Sequence, residues 1–180
     1  MKLLSTCFLL SLFMISSVSF AQSKNEELLD WSASRKLTWN DYKAQPEPGN
    51  DDAASTTTYL GIEYDISGSS FGYKIHSRFS KTRSWGLYKT DYILGHEQGH
   101  FDIAEIFARK LNKNMSEYRF NKRTYQQDLN KIYNDILDEK EKMQNDYDKE
   151  TNHSINKEKQ AEWLKKIAAM LEEYKDFAGY

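Results

Sequence analysis

The chain has 180 residues, with 25 Lys and Arg against 27 Asp and Glu and a formal net charge of −2. Charges of both signs are interspersed, which excludes a nucleic-acid or anionic-membrane binder acting through excess basic charge. A single cysteine, Cys7, excludes a disulfide framework, and the length suits one domain with a real core.

The amino terminus reads as a secretory signal peptide. Lys2 precedes an apolar run over residues 3–15, and Ser19-Phe20-Ala21 places small residues three and one positions before a cut after Ala21. The run is short for a spanning helix, and no other stretch is apolar enough to cross a bilayer. The expectation is a signal peptide over residues 1–21, removed with Cys7, and a single domain over residues 22–180. The mature protein is then secreted or periplasmic, with no membrane span and no nucleic-acid partner. Its oligomeric state stays open.

Residues 23–34 read as a polar lead-in and 36–39 as a short strand. Residues 45–52 hold both prolines, a glycine and acidic residues, the composition of a loop. In residues 56–66, Leu60, Ile62, Tyr64 and Ile66 alternate with Tyr59, Gly61, Glu63 and Asp65, the period of a strand. Residues 67–72 are a Gly/Ser turn, and 73–79 alternate again. Together they predict a β-hairpin, with 36–39 as a third strand. From Thr90 the period becomes helical. One helix is expected over 91–115. A second starts near Thr124, carries Tyr125, Leu129, Ile132, Ile136, Met143 and Tyr147, and is broken by the polar run 148–154. A third covers 156–176, with Trp163, Leu164, Ile167, Leu171 and Tyr174. The predicted fold class is α+β, a small antiparallel sheet followed by three helices.

The first helix contains His96-Glu97-Gln98-Gly99-His100, an H-E-x-x-H pattern. Two histidines four apart project from one helix face and can hold one Zn²⁺, with the adjacent glutamate as general base. Taking about 100° per residue and His96 as zero, His100 falls near 40°. Phe107, Ile103, Ile93 and Leu111 lie within about 60° of zero, so both histidines share the apolar stripe. Two core-facing histidines need partners, and a metal satisfies both.

Such a site needs a third protein ligand and an open position. Glu105 and Asp102 fall at about 180° and 240°, on the opposite side, and read as solvent-face charges that pair with Arg109 or Lys110. His76 stands on the solvated strand face opposite Tyr73, Ile75 and Phe79. His153, in the polar run after the second helix, and the carboxylates Glu117, Asp128, Glu139 and Glu141 stay open as candidates.

His96-Glu97-x-Gly99-His100-x-Asp102-Ile103-Ala104 resembles the HExGHxDIA signature of a bacterial family of exported proteins of unknown function, predicted to be secreted zinc-dependent proteases. Tyr147-Asp148-x-x-Thr151-x-His153 resembles that family's YDxxTxHG segment, with Ser154 in place of the glycine. Trp39-Asn40-Asp41-Tyr42, followed by Ala54-Ser55-Thr56, is similar to its amino-terminal strand region. The resemblance implies a zincin-like metallopeptidase fold, with Glu97 as base and His153 as third ligand beside His96 and His100.

The function expected is therefore a secreted zinc metallopeptidase. One Zn²⁺ per chain activates a water, Glu97 is the general base, and a peptide or protein is the substrate. An edge strand of the sheet, residues 73–79, would pair with the substrate backbone. Tyr147 is one candidate among 12 tyrosines for stabilising the oxyanion. The alternative is a non-catalytic zinc-stabilised binding protein of the cell envelope. A third reading has the Tyr125–Tyr147 stripe serve self-association instead of packing on the first helix.

Overall fold

A computed structural model describes residues 26–46, 49, 52–67 and 70–180, so the expected signal peptide lies outside the described residues. In chain order the elements are β1 (Leu28–Asp30), β2 (Ala54–Ser55), β3 (Thr58–Ser67), β4 (Ser70–Ser80), β5 (Trp85–Gly86), α1 (Asp91–Glu117), α2 (Tyr125–Thr151) and α3 (Lys157–Glu173). Two 3₁₀ turns, Trp39–Asp41 and Lys175–Phe177, complete the set. The class is α+β, with a small antiparallel sheet and three helices, as the periodicities predict.

Strands β3 and β4 form the expected hairpin, in register from Thr58 opposite Phe79 to Ser67 opposite Ser70. That register puts Leu60, Ile62 and Tyr64 on the same face as Ser77, Ile75 and Tyr73, so the alternating apolar side of both strands meets the core. The third strand is β1, not residues 36–39. Leu28, Leu29 and Asp30 pair with Ser80, Phe79 and Arg78, which places β4 in the centre of the order β1-β4-β3. Residues 73–79 are therefore not the sheet edge expected from the sequence. The segment read as a strand leads instead into the 3₁₀ turn. The Asp41 carboxylate accepts from the Thr38 N–H and hydroxyl, both at 2.9 Å, and this capping competes with strand pairing.

Helix α1 is the middle layer. The Thr90 hydroxyl caps it by accepting from the Ile93 N–H at 3.2 Å. The sheet covers one side, while α2 and α3 cover the other. Trp31 and Lys36 lie over Asp102 and Tyr180 over Glu105, so nine successive residues, Phe101 through Arg109, are buried. This corrects the solvent-face reading of Asp102 and Glu105, which assumed that only the apolar stripe of α1 is covered. Glu105 is 2% exposed and accepts from Arg109 Nε at 2.8 Å and from the Tyr180 hydroxyl. The Arg109 partner is the one expected, but the pair lies in the interior. Asp102 accepts from Trp31 Nε1 and Gln98 Nε2, each at 2.7 Å, and Lys36 Nζ approaches to 3.3 Å. These partners offset part of the cost of burying the charges, yet at Glu105 burial still prevails over the Tyr180 and Arg109 contacts and raises the carboxyl above its usual range.

The Tyr125–Tyr147 stripe packs inward. Leu129, Ile136, Met143 and Tyr147 lie in the same cluster as Ile103, Phe107 and Leu111 of α1 and Trp163 and Ile167 of α3. Helix α2 runs through Asp148 to Thr151, past its expected end. Among the described residues no helix is long and apolar enough to cross a membrane.

Past α2 the chain turns through three successive left-handed residues, Asn152, His153 and Ser154, at φ 49°, 50° and 71°. The His153 N–H donates to the Asp148 carbonyl at 2.9 Å, which closes the helix end. A serine in this conformation carries a steric cost that glycine avoids. Ser154→Gly is expected to raise stability by about 0.5–1 kcal/mol, read as a higher midpoint in thermal or urea unfolding. An unchanged or lower midpoint would show that the turn is not strained at this residue.

Candidate metal centre

Residues four apart on an α-helix stand one above the other, and α1 uses this to aim two imidazoles at one point. His96 Nε2 and His100 Nε2 are 3.2 Å apart. From the last turn of α2, Asp148 Oδ1 lies 3.1 Å from His96 Nε2 and 3.0 Å from His100 Nε2. Ligand atoms held at about 2.0–2.1 Å around a tetrahedral ion sit about 3.3 Å from one another. The three donors are thus arranged as one face of a metal coordination shell, and His96, His100 and Asp148 form a possible three-residue metal site. Two imidazoles and one carboxylate suit Zn²⁺ and other divalent ions that take nitrogen and oxygen ligands.

Neighbouring groups orient the donors. Gln144 Nε2 donates to the His100 carbonyl at 2.9 Å, which leaves Gln144 Oε1 to accept from His100 Nδ1 at 2.5 Å. That bond keeps a proton on Nδ1, so a metal at Nε2 replaces only the proton that His100 shares with Asp148. His96 stacks on the Tyr147 ring at 4.5 Å and 22°, and the Tyr147 hydroxyl donates to the His96 carbonyl at 3.2 Å. Tyr147 is fully buried, and burial followed by the charges of Glu97 and Asp148 pushes its phenol far above the usual range. It is a packing and positioning residue and does not face the cavity as an oxyanion donor would.

The electrostatics follow from the same contacts. Burial opposes ionisation of Asp148, but the hydrogen bonds and charges of His100 and His96 outweigh it and hold the carboxyl well below its ordinary range. Burial likewise opposes protonation of His100, and the Asp148 hydrogen bond and charge, with Glu97 behind them, reverse that and raise it.

Glu97 is 4% exposed, and its Oε2 is buried without a hydrogen-bond partner among the described residues. It lines an open cavity of about 570 Å³ together with His96, His100 and Asp148. Residues 52–58 form one wall. The α2 residues Leu137, Lys140, Glu141 and Gln144 form the other, and His153 and Ser154 border it at the helix end. A buried carboxylate without a partner, beside three convergent donors in an accessible cavity, is an arrangement suited to proton transfer.

The structure places His96, Glu97 and His100 together on the cavity. His153 is exposed on the same cavity, outside the three convergent donors, and Asp148 supplies the third. His76 belongs elsewhere. It is 8% exposed, held between Glu63 Oε1 at 3.0 Å and Arg78 at 2.8 Å, so its strand face is less solvated than alternation suggests. Of the carboxylates left open, Asp128 accepts from the Thr124 hydroxyl, Glu139 pairs with Lys110 and Glu117 ends α1. Glu141 alone of these four lines the cavity.

The run from Tyr147 to Ser154 closes one end of the site. Tyr147 stacks on His96, Asp148 joins the histidines, and the buried Thr151 hydroxyl donates to the Tyr147 carbonyl at 2.7 Å, tying the last turn. Gly99 answers to the same contact. A Cβ there would stand 2.5 Å from Tyr147 Oη and 2.9 Å from Cζ, so only glycine allows α2 its close approach to α1.

Among known proteins, the profile of a family described as bacterial protein of unknown function (DUF922) matches residues 19–154. No curated protein and no solved structure matches the chain.

Proposed function

We propose that this chain, which belongs to the bacterial family of unknown function DUF922, is an exported zinc-dependent metallopeptidase of zincin-like type. The observation that carries the reading is the approach of His96 Nε2, His100 Nε2 and Asp148 Oδ1 to within 3.0–3.2 Å of one another, beside the partnerless carboxylate of Glu97. Residues 1–21 direct export and are removed. His96, His100 and Asp148 hold the ion, in place of the His96, His100 and His153 set that the family resemblance implies.

A Zn²⁺ at these residues supplies a Lewis acid and makes water acidic enough to ionise near neutral pH. Glu97 takes the proton of the attacking water and passes it to the leaving amine. Its carboxylate lines the cavity, and no side chain among the described residues competes for it. Gln144 holds the His100 ring by its hydrogen bond to Nδ1, and Tyr147 holds the His96 ring by stacking on it. His153, exposed on the cavity and free of the ligand set, is placed to donate a hydrogen bond to substrate.

The cavity wall over residues 52–58 suits an extended peptide. Backbone groups of Ala53 and Thr57 are already used, with Leu87 N–H donating to Ala53 O at 2.8 Å and Ser80 N–H to Thr57 O at 2.9 Å. Alternation turns the N–H and C=O groups of Ala54 and Thr56 toward the opposite edge of the same run. A substrate backbone pairs there by strand addition. This edge replaces the central strand β4 in that role.

Purified mature protein is expected to carry about one zinc per chain and to cleave members of a broad peptide library, with loss of cleavage on chelation. Glu97→Gln is expected to keep the zinc and to lower cleavage at least about a hundredfold. A protein that neither holds nor takes up zinc would end the reading. One that holds zinc and cleaves nothing would favour a zinc-stabilised binding protein instead.

A further inference from the structure

The cavity holds one lysine, Lys140, that zinc chemistry does not use. Helix α2 lines it with Lys140, Gln144 and Asp148, spaced by four and therefore in one stripe along the helix. Asp148 stands at the histidines and Gln144 supports His100. Lys140 comes next, about 12 Å of helix rise from Asp148. It is half-buried, yet it makes no hydrogen bond and no ion pair among the described residues. On the same helix Lys131 and Lys142 each close an i,i+4 pair with an aspartate.

Glu141 also lines the cavity, and its charge acts on Lys140 without closing a pair. Burial, set against that charge, holds the Lys140 amine below the usual lysine range. A cation partly withdrawn from water and left without a counter-ion gains when an anion arrives. A peptide extended along the opposite wall rises about 3.3 Å per residue. The offset between Lys140 and the metal ligands, shortened by the reach of the lysine side chain, corresponds to about two to four residues of such a peptide.

We propose that Lys140 recognises a carboxylate on the bound peptide, about two to four residues from the reacting carbonyl, so that the protein prefers substrates with an acidic side chain or a free carboxyl terminus there. This rests on the peptide-binding reading above. Glu141 on the same cavity disfavours negative charge at other positions, so the preference is positional and does not extend to acidic peptides in general.

The test measures binding to zinc-loaded Glu97→Gln protein, which separates recognition from turnover. Three sets of fluorescein-labelled decapeptides are compared by anisotropy. The first are amidated and carry one Asp at successive positions, and the second carry Asn at the same positions. The third lack Asp and end in a free carboxylate. At least one Asp position, or the free-carboxylate set, is expected to bind about tenfold more tightly than its neutral counterpart. Which set gains identifies the source of the carboxylate. In the same background Lys140→Met should lower the charged peptides to the affinity of the neutral ones, while Lys140→Arg should retain most of the preference. Zinc content of each variant reports that the site is intact. Equal binding of charged and neutral peptides, or a preference that survives Lys140→Met, overturns the Lys140 assignment alone. Failure of every set to bind overturns the peptide reading and the assignment with it.

Discussion

Gly99→Ala is expected to cost about 1–3 kcal/mol of stability and to weaken zinc binding about 10–100-fold, although it adds a single methyl group. The added Cβ would meet Tyr147 Oη at 2.5 Å and Cζ at 2.9 Å, well inside contact distance. Tyr147 has nowhere to retreat. It is 0% exposed, stacked on His96 at 4.5 Å, set against Trp163 at 5.5 Å, and bonded through its hydroxyl to the His96 carbonyl. The strain is relieved by α2 moving off α1. Asp148 is the next residue on α2 and moves with it, and a ligand displaced by an ångström no longer completes the site. Thermal unfolding and zinc titration measure the two effects. Adding Tyr147→Phe to Gly99→Ala removes the nearest atom and should restore part of both losses. Wild-type zinc affinity in Gly99→Ala would mean that the α1–α2 contact does not set the position of Asp148.

What the sequence discloses and what it hides have definite causes. The hairpin is legible because Leu60, Ile62, Ile75 and Phe79 alternate with polar residues across a half-buried sheet, and the register preserves that alternation. His96 and His100 are legible because four-residue spacing on an amphipathic helix has only one geometric meaning. Strand β1 is hidden because Leu28 and Leu29 stand in a polar run too short to reveal a period. Asp102, Glu105 and Arg109 are hidden for a different reason. A helical wheel separates apolar from polar faces, but it cannot tell that the polar face of α1 is covered too, here by Trp31 and Lys36 over Asp102 and by Tyr180 over Glu105. Asp148 is the most instructive. Residues 148–154 contain no apolar side chain to extend the α2 period, so they read as a break, whereas the helix continues to Thr151 and ends through a left-handed turn. The spacing of four from Gln144 to Asp148 was the available signal, and it identifies a site-facing stripe only once α2 is known to continue.

Asp148→Ala is expected to lower zinc affinity about a thousandfold, beyond the 10–100-fold typical of residues that only support a ligand, and to remove cleavage with the metal. Asp148 Oδ1 is within 3.1 Å of both imidazole nitrogens, and no other carboxylate joins them in the three-residue group. The two histidines hold the aspartate ionised far below its ordinary range, so at neutral pH the carboxylate is a ready anionic ligand, and the proton a metal displaces is the one His100 shares with it. Asp148→Asn preserves shape and removes the charge, and should lose most of the same affinity. His153→Ala is the contrasting variant. His153 sits on a left-handed turn, exposed on the cavity and outside the convergent donors, so its removal should change zinc affinity by less than about threefold while lowering turnover. Competition titrations with a chromogenic zinc chelator, run on all three variants, separate the two assignments. If His153→Ala loses the metal and Asp148→Ala retains it, the turn over residues 152–154 must close onto the ion. Asp148 would then act as the carboxylate behind a histidine ligand and not as a ligand itself.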